Sequence, residues 1–283
     1  MAGHPVLVIH GGTGLKTHDK RLGPIRRNLR AICEEAYEYL ETHTALETVV
    51  FAVRRLEDDP LFNAGTGSVL QEDGRARMSA SVMDGATMRF ASVLNIEQVQ
   101  NPVVIADALL DEKDRVLAGA GATRFARSKG FPVWNPVTAI RRKEWEQRWR
   151  EQATHGTVGA VALDGGGHLA AATSTGGKGF ARVGRSSDSG MPSGNYANAH
   201  AAVSCTGIGE EILEEGLAVR IAQRVQDGVP LKKTFTVTFS ELTARRRRAG
   251  AIALDQHGQF VWSTTLPILV ATARTAARWA ESF

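Results

Sequence analysis

Midway along the chain, Val158-Gly159-Ala160-Val161-Ala162-Leu163 is a short apolar run of strand character. It is entered directly from Gly156-Thr157 and followed by Thr173-Ser174-Thr175-Gly176-Gly177. Such a strand is stable only under covering layers, and the elements around it indicate what those layers are. Pro5 to Ile9 reads as another short buried strand, ending in the tight turn His10-Gly11-Gly12-Thr13-Gly14. Pro24 can open a helix carrying Ile25, Leu29, Ile32, Ala36 and Leu40 at helical spacing. A second helix runs from about Ala45 to Leu56 and stops near Asp58-Asp59-Pro60. Short β-like runs follow at Gly67–Leu70, Ala80–Met83 and Phe90–Leu94, then a helix from Asn101-Pro102. Val116–Ala118 reads as a strand leading into a helix after Gly121. Beyond Thr157 the pattern predicts strands at Val158–Leu163, His168–Thr173 and Ala201–Cys205, and helices near Glu210–Val225 and Leu231–Arg248. Two closing strands, Ala251–Leu254 and Phe260–Thr264, complete it. Strands, then helices, then strands in both halves fit stacked sheets covered by helices better than a strict βαβ alternation.

Residues 132–156 differ from their surroundings. Pro132 and Pro136 precede the polar segment Arg141-Arg142-Lys143-Glu144-Trp145-Glu146-Gln147-Arg148-Trp149-Arg150, which reads as a partly helical surface linker of little core value. The linker ends at Gly156, just before Thr157. A Gly-Thr pair before a strand is ordinarily a turn and a strand start. Cut before Thr157, however, the chain would carry a hydroxyl and a free α-amine on one residue. A threonine hydroxyl is a weak nucleophile, and an N-terminal amine is one of the few groups able to activate it. An α-amine titrates near ~7.7–8.0, so much of it is a neutral base around neutral pH.

At 283 residues the chain can bury a large core, and its 43% apolar and 23% charged residues are ordinary for a globular protein. A formal charge of +4 is too small to require a nucleic-acid partner. Cys33 and Cys205 stand far apart, so neither a disulfide framework nor a zinc ribbon is indicated. Met1-Ala2-Gly3-His4-Pro5 lacks the basic start of a secretory signal, and no apolar run approaches membrane-spanning length. A soluble cytoplasmic protein is expected.

Several turns place small or hydroxyl residues where strands end: His10-Gly11-Gly12, Asn63-Ala64-Gly65-Thr66-Gly67, Thr175-Gly176-Gly177 and Thr206-Gly207-Ile208-Gly209. Backbone amides and carbonyls in such turns can approach a ligand closely. Thr157–Asp164, Ala170–Gly177 and Ser204–Glu210 closely resemble the isoaspartyl peptidase/L-asparaginase family, the plant-type asparaginases among the N-terminal-nucleophile hydrolases. Ile9–Gly12, Pro60–Gly65, Met83-Asp84-Gly85 and Asn101-Pro102 extend the resemblance through most of the chain in family order.

The resemblance implies an α/β fold, a four-layer αββα sandwich, cut into an α chain of residues 1–156 and a β chain of residues 157–283. It implies hydrolysis of L-asparagine or β-aspartyl peptides through an ester on Thr157, released by autocleavage after Gly156. Thr175 matches the threonine that orients the nucleophile, Thr206 and Gly207 the oxyanion hole, and Asn63 an asparagine that supports processing and catalysis. For the substrate's charged head, two registers compete, because Arg182-Val183-Gly184 and Gly184-Arg185-Ser186-Ser187-Asp188-Ser189 both resemble the family's Gly-Arg-Val-Gly-Asp-Ser. The second keeps the family spacing from Gly177 and recovers the aspartate, so Arg185 is expected to hold the α-carboxylate and Asp188 the α-ammonium, with a Gly209 carbonyl. The bland alternative is that Arg185 and Asp188 pair only with each other. Leu56–Thr66 resembles the family's sodium loop, implying backbone-carbonyl ligands from Leu56, Glu57, Asp59, Phe62, Ala64 and Thr66, and no cofactor for the chemistry. Family members pair two αβ units, which implies an (αβ)2 homo-oligomer. Ser79 stands where the family usually has aspartate, and Ser186-Ser187 replaces Val-Gly.

Other signals are weaker. Gly119-Ala120-Gly121-Ala122 reads as a helix start rather than a dinucleotide turn, and Arg245–Arg248 as a solvated helix end rather than a nucleic-acid contact. The eight histidines lack zinc-ligand spacing, and no Gly-x-Ser-x-Gly elbow occurs. Two readings stand beside the main one: a glycosylasparaginase-like amidohydrolase, and a catalytically silent basic binding module on the same fold.

Overall fold

Side-chain alternation along five strands decides where the polar residues of this molecule meet. The computed structural model describes residues 4–13, 18–147 and 156–283; Gly14 of the first turn and Trp149 in the last part of the linker lie outside them. Among the described residues, eight strands form one sheet and four form another. In the larger sheet β1 (Val6–Thr13) lies between β11 (Leu269–Thr275) and β5 (Val158–Leu163), followed by β6 (Leu169–Thr175), β2 (Met78–Asp84), β3 (Arg89–Ile96) and β4 (Val116–Ala118). The short β12 (Trp279–Glu281) closes the other edge. The smaller sheet runs β10 (Phe260–Thr264), β9 (Ala249–Asp255), β8 (Ala201–Gly207), β7 (Asn195–Ala197). Strands from both sides of Thr157 therefore interleave in one hydrogen-bonded sheet, with β5 and β6 held between β1 and β2.

Three apolar layers make the stack αββα. On one face of the larger sheet, Leu7, Ile9, Val158, Ala160 and Ala172 pack against α1 (Leu22–Leu40) and α2 (Ala45–Asp58), with α3 (Pro102–Ala108) and α4 (Gly119–Ser128) beside them. Between the sheets lie Val8, Val161, Ala171, Ala202 and Ile252. Val203, Cys205 and Ala251 face α7 (Leu217–Gln226) and α8 (Leu231–Ala244) on the far side. Strands covered on both faces carry no polar face, which is why β5 and β6 read as near-continuous apolar runs. α2 is fixed at its start by a reciprocal capping box between Thr44 and Glu47.

The structure departs from the sequence expectations in particular places. Gly67–Leu70 is not a strand: Gly67 turns at φ +99° and its amide bonds to the Pro136 carbonyl rather than to a ladder. The helix expected over Glu210–Val225 is two, α6 (Gly209–Glu215) and α7, broken at Gly216 in the left-handed region. The helix expected to reach Arg248 ends at Ala244. Phe260–Thr264 does not close the pattern, since β11 follows and pairs with β1 in the middle of the larger sheet. The linker carries α5 (Ala139–Gln147), whose Arg141 is buried rather than solvated. Among the described residues no helix is long and apolar enough to cross a membrane.

Candidate active site

On β5 and β6 the side chains of one parity face the helices and those of the other face the second sheet. Val158, Ala160 and Ala172 belong to the helix side, so Thr157, Thr173 and Thr175 fall on the sheet side. On β8, Ala202 faces the inter-sheet core, which puts Ser204 and Thr206 there too. Three threonines distant in sequence thus reach the same end of one narrow layer.

Thr157 is 5% exposed, and its hydroxyl lies 3.4 Å from Thr175 Oγ1. Thr175 Oγ1 donates to the Gly156 carbonyl at 2.9 Å and accepts the Gly177 amide at 3.0 Å. Asn63 Nδ2 donates to the same Gly156 carbonyl at 2.9 Å and to the Gly177 carbonyl at 2.8 Å, while its Oδ1 accepts the Val69 amide. Every polar atom of the Asn63 side chain is engaged, so its direction is set. Gly12, at φ +103°, brings the end of β1 against the junction; a Cβ there would lie 3.2 Å from the Thr157 carbonyl oxygen.

Thr206 is fully buried, and its hydroxyl has no hydrogen-bond partner among the described residues. Gly207 follows at φ +137°, where a Cβ would meet the Arg248 carbonyl at 2.6 Å. A buried hydroxyl without a partner is costly unless something binds it.

Asp188 opens a short 3-10 turn and is 1% exposed. Burial pushes its carboxyl up to about 6, against the pull of the Ser187 hydroxyl and the Arg185 charge. Its Oδ1 accepts Ser187 Oγ at 2.9 Å, and its Oδ2 has no partner among the described residues. Arg185 does not hydrogen-bond to Asp188. Its fork closes on Glu210, Nε to Oε1 at 3.0 Å and Nη2 to Oε2 at 2.9 Å. That hydrogen bond is the main reason the Glu210 carboxyl falls to about 2. Gly209 lies between the two charges: a Cβ on it would be 2.7 Å from Arg185 Nη2 and 2.8 Å from Asp188 Oδ1. Arg182, the rival in the other register, is exposed. Ser79, buried at the end of β2, accepts the Asn95 amide at 3.3 Å, and Asn95 Nδ2 donates to the Gly184 carbonyl and to Ser186 Oγ.

One residue pair deeper between the sheets is a second polar layer. His10 Nε2 meets Ser204 Oγ at 2.8 Å, Ser204 meets Thr173 Oγ1 at 2.7 Å, and Thr173 donates to Asn195 Oδ1 at 3.0 Å. Burial holds His10 down to about 3, so the imidazole is neutral throughout the working range. The layer ties β8, the strand of Thr206, to β6, the strand of Thr175, and to β1.

The loop after α2 gathers carbonyl oxygens. A Cβ on Gly65 (φ +51°) would lie 2.5 Å from the Glu57 carbonyl and 2.8 Å from that of Gln100, and one on Gly67 2.6 Å from Pro60 O and 2.9 Å from Phe62 O. The Glu57 and Asp59 carbonyls each accept one backbone amide, from Thr66 and Phe62. Among the described residues no group of three or more His, Cys, Asp or Glu could hold a metal. The Glu57 carboxyl, pushed up to about 8 by burial, is engaged by Ser174 Oγ and the Val103 amide. Of the six carbonyls that the resemblance implies as sodium ligands, those of Glu57 and Phe62 border these glycines, so a cation held here would be taken by backbone oxygens rather than by a carboxylate cage.

With this geometry the family comparison becomes decisive: the profile of the asparaginase family matches residues 3–282. The chain belongs to the asparaginase family. An isoaspartyl peptidase/L-asparaginase from a Nostoc species is 46% identical over 288 residues, spanning 94% of this chain and 91% of the relative. The protein of that name from a Synechocystis species is 42% identical, over 96% of this chain and 88% of its own length. A plant-type L-asparaginase from Pyrococcus abyssi is 34% identical, over 89% and 90%. Within this asparaginase-family chain, the sequence points to Asn63, Thr175 and Gly12 around Gly156 and Thr157, but it assigns no role to Glu210, to Ser187 or to the layer of His10, Ser204 and Thr173. A glutamate in the first turn of a helix reads as a dipole partner, and nothing local signals that it reaches Arg185. Three arginines of the run are ion-paired: Arg245 with Glu215, Arg247 with Glu214 and Arg248 with Glu211.

Proposed function

We propose that this chain is an autocleaving threonine amidohydrolase that breaks the β-aspartyl amide bond of L-asparagine or of isoaspartyl peptides. The observation that carries the reading is the Gly156–Thr157 junction, where Asn63 and Thr175 both donate to the Gly156 carbonyl and the Thr157 hydroxyl stands beside Thr175. The Nostoc and Synechocystis relatives, both named isoaspartyl peptidase/L-asparaginase, support the substrate class.

In processing, Thr157 Oγ attacks the Gly156 carbonyl carbon, and Asn63 and Thr175 hold the oxygen as it gains charge. The C–N bond breaks, the Thr157 nitrogen takes the hydroxyl proton, and an ester joins Gly156 to Thr157 Oγ. Water hydrolyses that ester to a Gly156 carboxylate and a free Thr157, dividing the chain into residues 1–156 and 157–283. In turnover the new α-amine accepts the hydroxyl proton as Thr157 Oγ attacks the substrate's side-chain carbonyl. Thr206 Oγ1 and the Gly207 amide receive the developing oxyanion. Ammonia or an amino acid leaves with a proton, and water resolves the β-aspartyl ester. Arg185 holds the α-carboxylate, and Asp188 with the Gly209 carbonyl holds the α-ammonium; Asp188 Oδ2, which has no partner among the described residues, favours that assignment.

The carbonyls of Leu56, Glu57, Asp59, Phe62, Ala64 and Thr66 would hold a structural sodium ion, whose role is to order the loop that carries Asn63. We also read the assembly as two αβ units and the compartment as the cytoplasm, which suits two buried free cysteines, Cys33 and Cys205. Thr157→Ala tests the central claim: the variant is expected to remain one inactive chain on denaturing electrophoresis, whereas the parent yields a smaller fragment beginning at Thr157. A variant that is still cut and active overturns the nucleophile assignment. Parallel assays with L-asparagine, β-aspartyl dipeptides and a glycosylated asparagine separate this activity from that of a glycosylasparaginase. An uncut chain with salt-dependent binding to DNA or RNA would support the binding-module reading instead.

A further inference from the structure

The segment before Thr157 grips the loop that carries Arg185. Arg141 of α5, 7% exposed, donates Nε to the Gly67 carbonyl at 2.6 Å. Trp145 donates Nε1 to the Gln71 carbonyl at 3.0 Å, and Arg142 donates to the Gly74 carbonyl at 3.2 Å. Gly74, at φ +75°, permits the approach: a Cβ there would lie 3.2 Å from the Trp145 ring. One face of α5 is therefore spent on the backbone carbonyls of residues 67–74.

Those residues in turn hold the substrate loop. The Phe180 amide donates to the Leu70 carbonyl at 2.9 Å, and the Glu72 amide to the Ala181 carbonyl at 3.0 Å. Glu72 Oε1 accepts the Val183 amide. Gln71, 3% exposed, spans the last step: its Oε1 accepts the Gly184 amide at 3.1 Å, and its Nε2 donates to the Arg185 carbonyl at 3.3 Å. One side chain thus holds the peptide group before Gly184 and the one after Arg185. Trp145 also reaches the loop directly, stacking on Phe180 at 6.2 Å between ring centroids with 9° between planes.

We propose that α5 is a strap on the substrate loop, and that Gln71, backed by Trp145, is the positioning residue that aims Arg185. The proposal rests on the reading of Arg185 as the carboxylate clamp. A guanidinium fork recognises a carboxylate only in a narrow geometry, so loosening its backbone costs substrate affinity while the Thr157 chemistry stays intact.

The test uses the processed enzyme in two arms, on Trp145→Ala, Trp145→Phe and Gln71→Glu. In the first arm, hydrogen exchange at the Phe180, Val183 and Gly184 amides is expected to quicken in W145A while β5 and β6 amides keep their protection. In the second, W145A is expected to raise KM for L-asparagine about tenfold with kcat within about twofold, W145F falling between it and the parent. In an Arg185→Ala background W145A should add nothing further. Unchanged exchange at the three amides overturns the strap, as does an unchanged KM in W145A where R185A raises it, or a fall in kcat alone. Should W145A not fold, W145F and Q71E carry the same comparisons. Failure of the parent to hydrolyse L-asparagine or a β-aspartyl dipeptide would remove the proposed activity, and the exchange arm would still decide whether α5 holds the loop.

Discussion

Thr175 donates its hydroxyl to the Gly156 carbonyl at 2.9 Å, so the group beside the proposed nucleophile also holds the bond that the nucleophile must break. Thr175→Val keeps the shape and removes the donor. Cleavage of the chain is expected to slow by roughly 10²–10³-fold, the usual cost of one oxyanion donor. Appearance of the smaller fragment with time on denaturing gels measures it. Asn63→Leu should slow cleavage as well, because Asn63 supplies the second donor.

Thr206 does not touch the Gly156 carbonyl, and among the described residues its buried hydroxyl has no partner. Thr206→Val should therefore be cut at close to the parental rate and lose turnover, with kcat down by roughly 10²–10³-fold and KM little changed. Removing an unsatisfied buried hydroxyl should also leave the melting temperature equal or higher. A variant that loses cleavage and turnover together would place Thr206 in both steps.

These two predictions separate what the sequence disclosed from what it did not. Thr157, Thr175 and Thr206 each sit beside a glycine at the end of an apolar run, a pattern that alone reads as a turn; the resemblance to the asparaginase family is what gives them roles. β11 did not stand out, because its place is set by pairing with β1, more than 250 residues away, rather than by its own pattern. Gly67–Leu70 looked like a strand by composition, yet Gly67 turns the chain and α5 takes its carbonyl. The polar face of α5 looked solvated because its partners are backbone carbonyls, which have no sequence signature. The family's spacing from Gly177 favours Arg185 over Arg182, whereas the Arg185 partner Glu210 is visible only in the fold.

Asp188 yields a pH prediction with a definite sign. Its folded pKa is raised to about 6 by burial, above the ordinary aspartate value of 3.8, so the charged form is disfavoured in the folded state. Between those values the folded chain binds the extra proton, and stability falls as pH rises through that window. Asp188→Asn should raise the melting temperature at about pH 8 by a few degrees and have little effect at about pH 4. The same substitution removes the charge proposed to hold the substrate ammonium. KM of the parent is expected to fall as pH rises through about 6, while that of D188N stays high and flat. Thermal melts at two pH values and KM against pH check both halves.

The last prediction concerns the carboxylate that occupies Arg185. Glu210 takes both arms of the guanidinium, at 3.0 and 2.9 Å, in the geometry an α-carboxylate would use. A substrate must displace it. Because the Arg185 hydrogen bond holds the Glu210 carboxyl down to about 2, no working pH protonates the competitor away. The Glu210 side chain is 52% exposed, so the pair is screened by solvent and displacement costs little. Glu210→Gln keeps an acceptor for the fork and removes the charge. KM for L-asparagine is expected to fall severalfold with kcat unchanged, since Glu210 makes no contact with Gly156 or Thr157. If Glu210 instead serves chiefly to hold Arg185 in position, E210Q will raise KM, and the direction of that one change decides between the two roles.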